Sequence, residues 1–79
     1  MKIELLSRQD CGLCDHAADA LRALGLTFST VDVDSDPELV TAFGDAVPVV
    51  LVAGQEVTRA PITLDSLRRA LSGLALTSG

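Results

Sequence analysis

Cys11 and Cys14 stand three residues apart in Cys11-Gly12-Leu13-Cys14, and they are the two cysteines of the chain. Such a pair supports thiol–disulfide exchange, half of a zinc or iron–sulfur site, or no chemistry, the thiols then being small buried side chains. The metal reading needs two further ligands. With no other cysteine and His16 alone, a second subunit would have to bring them. Exchange chemistry fits the spacing directly, because residues three apart at a helix start share one side of one turn, within disulfide reach. Cys11 then sits among unpaired backbone N–H groups at the positive end of the helix dipole, which favours its thiolate. Cys14 falls one turn inward on the apolar face, shielded and protonated. Cys11 is therefore the expected nucleophile and Cys14 the resolving thiol. The dipole contributes about 0.3–1 kcal/mol. Arg8 adds attraction and Asp10 opposes it, by roughly 1–3 kcal/mol for unit charges some 6 Å apart. The expected result is a Cys11 thiol only modestly more acidic than a free one.

The elements that must hold this pair follow from the surrounding pattern. Lys2–Leu6 alternates and reads as a strand ending in the loop Ser7-Arg8-Gln9-Asp10. From Cys11 to about Leu24 the period is helical. Cys14, Ala17, Ala18, Leu21 and Leu24 share a face, Asp10 is the expected N-cap and Gly25 the stop. Thr27–Val33 is β-branched and reads as a second strand. Pro37–Phe43 reads as a short helix with Asp36 as N-cap, Pro37 at its first position and Gly44 as stop. Pro48–Val52 is a strand apolar on both sides, turning through Ala53-Gly54-Gln55-Glu56 into a strand around Val57–Arg59. Leu64, Leu67, Leu71 and Leu74 mark a closing helix, with Arg68 and Arg69 outward. The order β-α-β-α-β-β-α, with a parallel first pair and a terminal hairpin, predicts a three-layer α/β/α sandwich.

Composition bounds the rest. Seventy-nine residues make one domain, 1–79. A chain this short buries about 60% of its unfolded surface, and 48% hydrophobic residues supply the core. A net charge of −5 with no Trp or Tyr argues against nucleic acid and anionic membranes as partners. No leader or spanning segment is visible, and two cysteines are too few for a secreted disulfide framework. The expectation is a cytoplasmic monomer without cofactor or metal. Asp32, Asp34, Asp36 and Glu38 resemble a metal cluster at first sight, but they read as residues ending a strand and starting a helix. His16 reads as a solvated helix residue.

At Cys11-Gly12-Leu13-Cys14-Asp15, Val31-Asp32-Val33-Asp34, Pro37-Glu38-Leu39, Gly44, Val47-Pro48-Val49 and Gly54 the sequence resembles the glutaredoxin branch of the thioredoxin superfamily. It is most similar there to short glutaredoxin-like proteins with a Cys-x-Leu-Cys-Asp site. The resemblance implies a thioredoxin fold with a mixed four-stranded sheet of order 4-3-1-2 and an antiparallel third strand. It implies a cis Val47–Pro48 peptide against the dithiol, with the Val47 backbone free to pair with an extended substrate. It also implies that Arg8 favours the thiolate and an incoming carboxylate. Arg8, Gly12, Leu13, Val47 and Pro48 are the expected substrate-binding residues beside the catalytic pair.

Gly12 and Leu13 replace the Pro and Tyr usual in glutaredoxins. Thr58-Arg59-Ala60-Pro61-Ile62-Thr63 lacks the Gly-Gly that holds glutathione, Ala46 stands where a Thr is common, and Asp45 places negative charge near the expected glutathione path. The fold and dithiol carry over to this chain, and glutathione as substrate does not. The leading expectation is a disulfide oxidoreductase or electron carrier. Its substrate would be a disulfide-containing protein or a low-molecular-weight thiol, and a reductase or glutathione would recycle it. A redox-responsive binding module switched by the Cys11–Cys14 disulfide is the alternative, followed by a dimeric metal or iron–sulfur protein.

Overall fold

Alternation along the first strand sends Ile3 and Leu5 to one face of a sheet and Leu6 to the other, and this split organises the molecule. The computed structural model describes residues 2–72. Its elements are β1 (Ile3–Ser7), α1 (Gly12–Ala23), β2 (Ser29–Asp32), a 3-10 turn (Val33–Ser35), α2 (Pro37–Phe43), β3 (Val49–Val52), β4 (Gln55–Arg59) and α3 (Leu64–Ser72). The sheet order is β2-β1-β3-β4. β1 runs parallel to β2, with Leu5 opposite Thr30, and antiparallel to β3, with Leu5 opposite Val50. The 4-3-1-2 order and the antiparallel third strand are thus present.

Helices α1 and α3 cover the face carrying Ile3, Leu5, Val50 and Val52, giving a core that includes Ala17, Leu21, Ile62, Leu67 and Leu71. The opposite face carries Leu6 and Val49, covered by Val33 of the 3-10 turn and by Leu39 and Phe43 of α2. Leu5, Leu21 and Leu67 are no more than 1% exposed. Each such leucine stabilises the fold by about 1.5–3 kcal/mol on burial. Helix α1 ends in a Schellman motif. The Leu26 N–H reaches the Leu21 carbonyl, the Gly25 N–H reaches that of Arg22, and Gly25 takes the φ of +73° that the motif requires. In α2, Asp36 caps, Pro37 opens and Gly44 closes the helix, as the sequence predicts.

The structure departs from expectation at the end of β2, at the start of β4 and in the exposure of Leu64. β2 stops at Asp32 because the Asp32 carboxylate accepts the Asp34 N–H and turns the chain into the 3-10 segment, where Val33 is fully buried. Asp32 thus ends β2 and Asp34 belongs to the 3-10 turn. The β3–β4 turn uses only Ala53 and Gly54, both at positive φ (52° and 82°), so β4 begins at Gln55 rather than Val57. A register shift between Val50 and Leu51 of β3 accommodates the extra length of β4. Leu64, expected on one helical face with Leu67 and Leu71, is 39% exposed where they are buried, and Leu74 lies outside the described residues. Among the described residues, no helix is long and apolar enough to cross a membrane.

Candidate active site

β1 ends at Ser7, and the loop Arg8–Asp10 delivers the chain to the start of α1. Asp10, the expected N-cap, sits at φ +56°, a left-handed conformation that Asp tolerates but that a cap cannot use. Cys11 caps the helix instead, at φ −113° and ψ 100°. Its Sγ accepts the Cys14 backbone N–H at 3.2 Å, and its carbonyl accepts the N–H groups of Cys14 and Asp15. The sulfur thus occupies the place of a capping Ser or Asp oxygen, the position in which a thiolate is best stabilised.

Cys11 and Cys14 are joined in a disulfide with their Cα atoms 5.2 Å apart. Their environments differ. Cys11 is partly exposed, whereas Cys14 is only 4% exposed, on the apolar side of α1 with Ala17 and Leu21. Between them Gly12 lies in open space and Leu13 projects outward, 56% exposed. Pro48 is fully buried, and Val47 packs with Leu6, Val33 and Val49 on the α2 side of the sheet. The Val47–Pro48 peptide is cis, as is Ala60–Pro61. Val47 stands outside β3, and its backbone makes no hydrogen bond to the other described residues.

Arg8 is tied down by acceptors far away in sequence. Its Nε and Nη2 donate to the two carboxylate oxygens of Asp34 at 3.1 and 2.8 Å, and Nη1 donates to the Gly44 carbonyl at 3.2 Å. The Asp34 hydrogen bonds, and secondarily its charge, raise the guanidinium pKa further above its ordinary value. Arg8 therefore links the Cys11 loop to the 3-10 turn and to the end of α2. The other acids that resembled a metal cluster have local partners too: Asp32 caps the 3-10 turn and Asp36 caps α2. Among the described residues, no three His, Cys, Asp or Glu side chains are grouped to hold a metal.

One feature of the site was not legible beforehand. An apolar groove of about 480 Å³ opens beside Leu13, between α1 and the segment Pro61–Leu64. Leu13 and Leu64 are its exposed aliphatic side chains. The exposed apolar Leu13 inside the CxxC was its one signal in the sequence.

Comparison with known proteins places this arrangement. The glutaredoxin-like domain (DUF836) family model matches residues 2–72. An uncharacterized protein of Mycobacterium bovis, Mb0520, is 39% identical over 64 residues, 70% of this chain, and the chain spans 66% of that relative's length. The X-ray structure of the protein XcR50 from X. campestris is 37% identical, with a TM-score of 0.81 over 90% of this chain and 96% of the other. The glutaredoxin-like NrdH-redoxin of Escherichia coli is 26% identical, with a TM-score of 0.69 over 87% and 93% of the two chains. The fold is thioredoxin-like, and the adjoining Cys11 and Cys14 give it a redox function in general terms. The chain belongs to the glutaredoxin-like domain (DUF836) family of the thioredoxin superfamily.

Proposed function

We propose that the protein is a dithiol–disulfide oxidoreductase in which Cys11 attacks and Cys14 resolves. The observation that carries this reading is the asymmetry of the pair. Cys11 is partly exposed, with its sulfur accepting a helix N-terminal N–H, while Cys14 is buried one turn inward. In the reduced protein the Cys11 thiolate attacks one sulfur of a substrate disulfide. That S–S bond breaks, and its other sulfur leaves as a thiolate that takes a proton from water. Cys14 then loses its proton and attacks the Cys11 sulfur of the mixed disulfide. The second substrate thiol departs and the Cys11–Cys14 disulfide remains. Two electrons have passed from the protein to the substrate, and an external dithiol or two monothiols must return them.

The substrate class is a protein disulfide. The site lacks the Gly-Gly of glutathione-binding glutaredoxins, and NrdH-redoxin, 26% identical, is described as glutaredoxin-like with a thioredoxin-like activity profile. Leu13, Gly12 and Val47 form the surface the substrate meets, with Pro48 buried beneath it and the unbonded Val47 backbone available to an extended chain.

The test is the equilibrium midpoint of the pair in defined thiol–disulfide buffers, read by mass tagging of free thiols. A reversible two-electron transition between roughly −150 and −280 mV supports the assignment. Cys14→Ser should accumulate a mixed disulfide on Cys11, and Cys11→Ser should form none. Thiols that stay free in every buffer would refute it, and a stable Cys11–glutathione adduct would shift the substrate class to glutathione.

A further inference from the structure

The groove beside Leu13 begins at the dithiol itself, because Leu13 lies between the two cysteines and also lines the groove. A protein whose disulfide reaches Cys11 comes close to this lip, since Leu13 stands between the two cysteines and is 56% exposed. Beyond it the groove is walled by Ala20 on one side and by Pro61 and Leu64 on the other, with His16 and Asp19 on the helix wall. Its volume of about 480 Å³ exceeds that of a single methyl or isopropyl group and falls in the range, roughly 300–1,000 Å³, of sites that bury whole ligand groups. Leu13 at 56% and Leu64 at 39% exposure leave aliphatic surface that an apolar side chain would cover.

The charged side chains nearest the groove and the dithiol are mostly acidic. Asp10, Asp15, Asp19, Asp45 and Asp65 are exposed on the segments that carry the dithiol, the groove and the Val47–Pro48 peptide. Of the arginines on these segments, Arg8 is bonded to Asp34 and Arg22 to Asp19, while Arg68 and Arg69 stand on α3 outside the groove lining. Asp19 shares one oxygen with Arg22 and keeps the other. Glutathione, with two carboxylates and one ammonium, meets this edge with the wrong sign. A lysine- or arginine-bearing chain meets it with the right one.

Resting on the dithiol reading, we infer that the groove docks a substrate protein bearing an apolar side chain and basic residues beside its disulfide. The apolar side chain lies against Leu13 and Leu64, and the basic residues face Asp15, Asp19 and Asp65. Docking in this way orients the substrate disulfide over Cys11.

The test uses the full chain and two synthetic peptides, each closed by one disulfide and identical except for the flanking residues, Leu-Lys-Lys in one and Ser-Glu-Glu in the other. The reduced protein should reduce the first about tenfold or more faster at low salt, with the ratio falling as salt rises. Leu64→Ser and Asp19→Asn should each lower that ratio several-fold. Both positions are surface-exposed, so the variants should fold, which amide spectra will show. In the Cys11→Ser/Cys14→Ser protein the first peptide should still shift the amide resonances of Leu13, Ala20 and Leu64. Equal reduction of both peptides would overturn the docking site while leaving the oxidoreductase intact. Groove shifts without any reduction would support the docking site and overturn the oxidoreductase. Shifts confined to other surfaces would overturn the docking site.

Discussion

The capping role of Cys11 makes its reactivity a measurable consequence of backbone geometry. In the reduced protein, isolated by Cys14→Ser, the Cys11 sulfur keeps the N–H of residue 14 as donor, because that group belongs to the backbone. A hydrogen bond to a charged acceptor is worth about 1.5–3 kcal/mol against 0.5–1.5 for a neutral one, so the thiolate gains about 1 kcal/mol or slightly more over the thiol. The helix dipole adds about 0.3–1 kcal/mol. Asp10 and Asp15, flanking the site and exposed to water, subtract from this by roughly 0.5 kcal/mol each, the energy of unit charges about 8 Å apart at the dielectric of water. Arg8 returns little, since its charge is shared with Asp34 at 2.8 Å. With the exposed carboxylates screened by water, the net is roughly 0.3–1 kcal/mol in favour of the thiolate, about a two- to five-fold larger thiolate population at neutral pH than in a free cysteine. The assay is the rate of iodoacetamide alkylation against pH, followed by mass. Its midpoint should fall below the free-thiol value of about 8.5. Asp15→Asn should lower it further. A midpoint at or above the free-thiol value, or one indifferent to Asp15→Asn, would refute the reasoning.

Leu67 of α3 is fully buried beneath the α1–α3 layer, so Leu67→Ala should cost about 2–5 kcal/mol in urea denaturation, much of the stability of a 79-residue chain. At Gly44 an added Cβ would come within 2.6 Å of the Val40 carbonyl oxygen, so Gly44→Ala should lose roughly 1–3 kcal/mol by forcing the end of α2 to shift. The Arg59 guanidinium hydrogen-bonds the Glu56 carboxylate and holds its pKa below the ordinary value of 4.5. That pair therefore contributes stability above the unfolded-state pKa and loses it as acidification passes through the lower folded value. A thermal melt series should show Glu56→Gln flattening this acid limb, with the wild-type difference shrinking in high salt.

How much of this was legible in the sequence depends on the range over which each feature is determined. Local grammar was readable: Asp36, Pro37 and Gly44 delimit α2, and the 3.6-residue spacing of Cys14, Ala17 and Leu21 gives the buried face of α1. The Cys pair at a strand-to-helix junction was readable for the same reason. The cap is not legible locally, because Asp is the better capping side chain by type, yet the loop from Arg8 turns Asp10 to positive φ and leaves the cap to Cys11. The partner of Arg8 lies 26 residues away, and no spacing rule links Arg8 to Asp34 or to Gly44. Leu64 fits the apolar period of α3 but stands on its first turn, at the rim of a groove that exists only once α1 and α3 have packed.

Two electrostatic effects of different range meet at Cys11, and ionic strength separates them. The N–H donated to its sulfur acts over 3.2 Å, inside the reach of any counterion atmosphere. The carboxylates of Asp10, Asp15, Asp19, Asp45 and Asp65 are exposed, and at about 0.15 M salt their field decays over roughly 8 Å. A neutral reagent samples Cys11 directly, so its limiting thiolate reactivity should hold nearly constant as salt rises. The rate with a basic disulfide peptide depends on the long-range field and should fall steeply over the same series. The alkylation midpoint itself should drift downward with salt, because screening weakens the carboxylates that oppose the thiolate and leaves the hydrogen bond that favours it. An upward drift would mean that a favourable long-range charge, not the cap, activates Cys11. Arg8 would then be the residue to re-examine, and Asp34→Asn, which releases its guanidinium, would sharpen the effect.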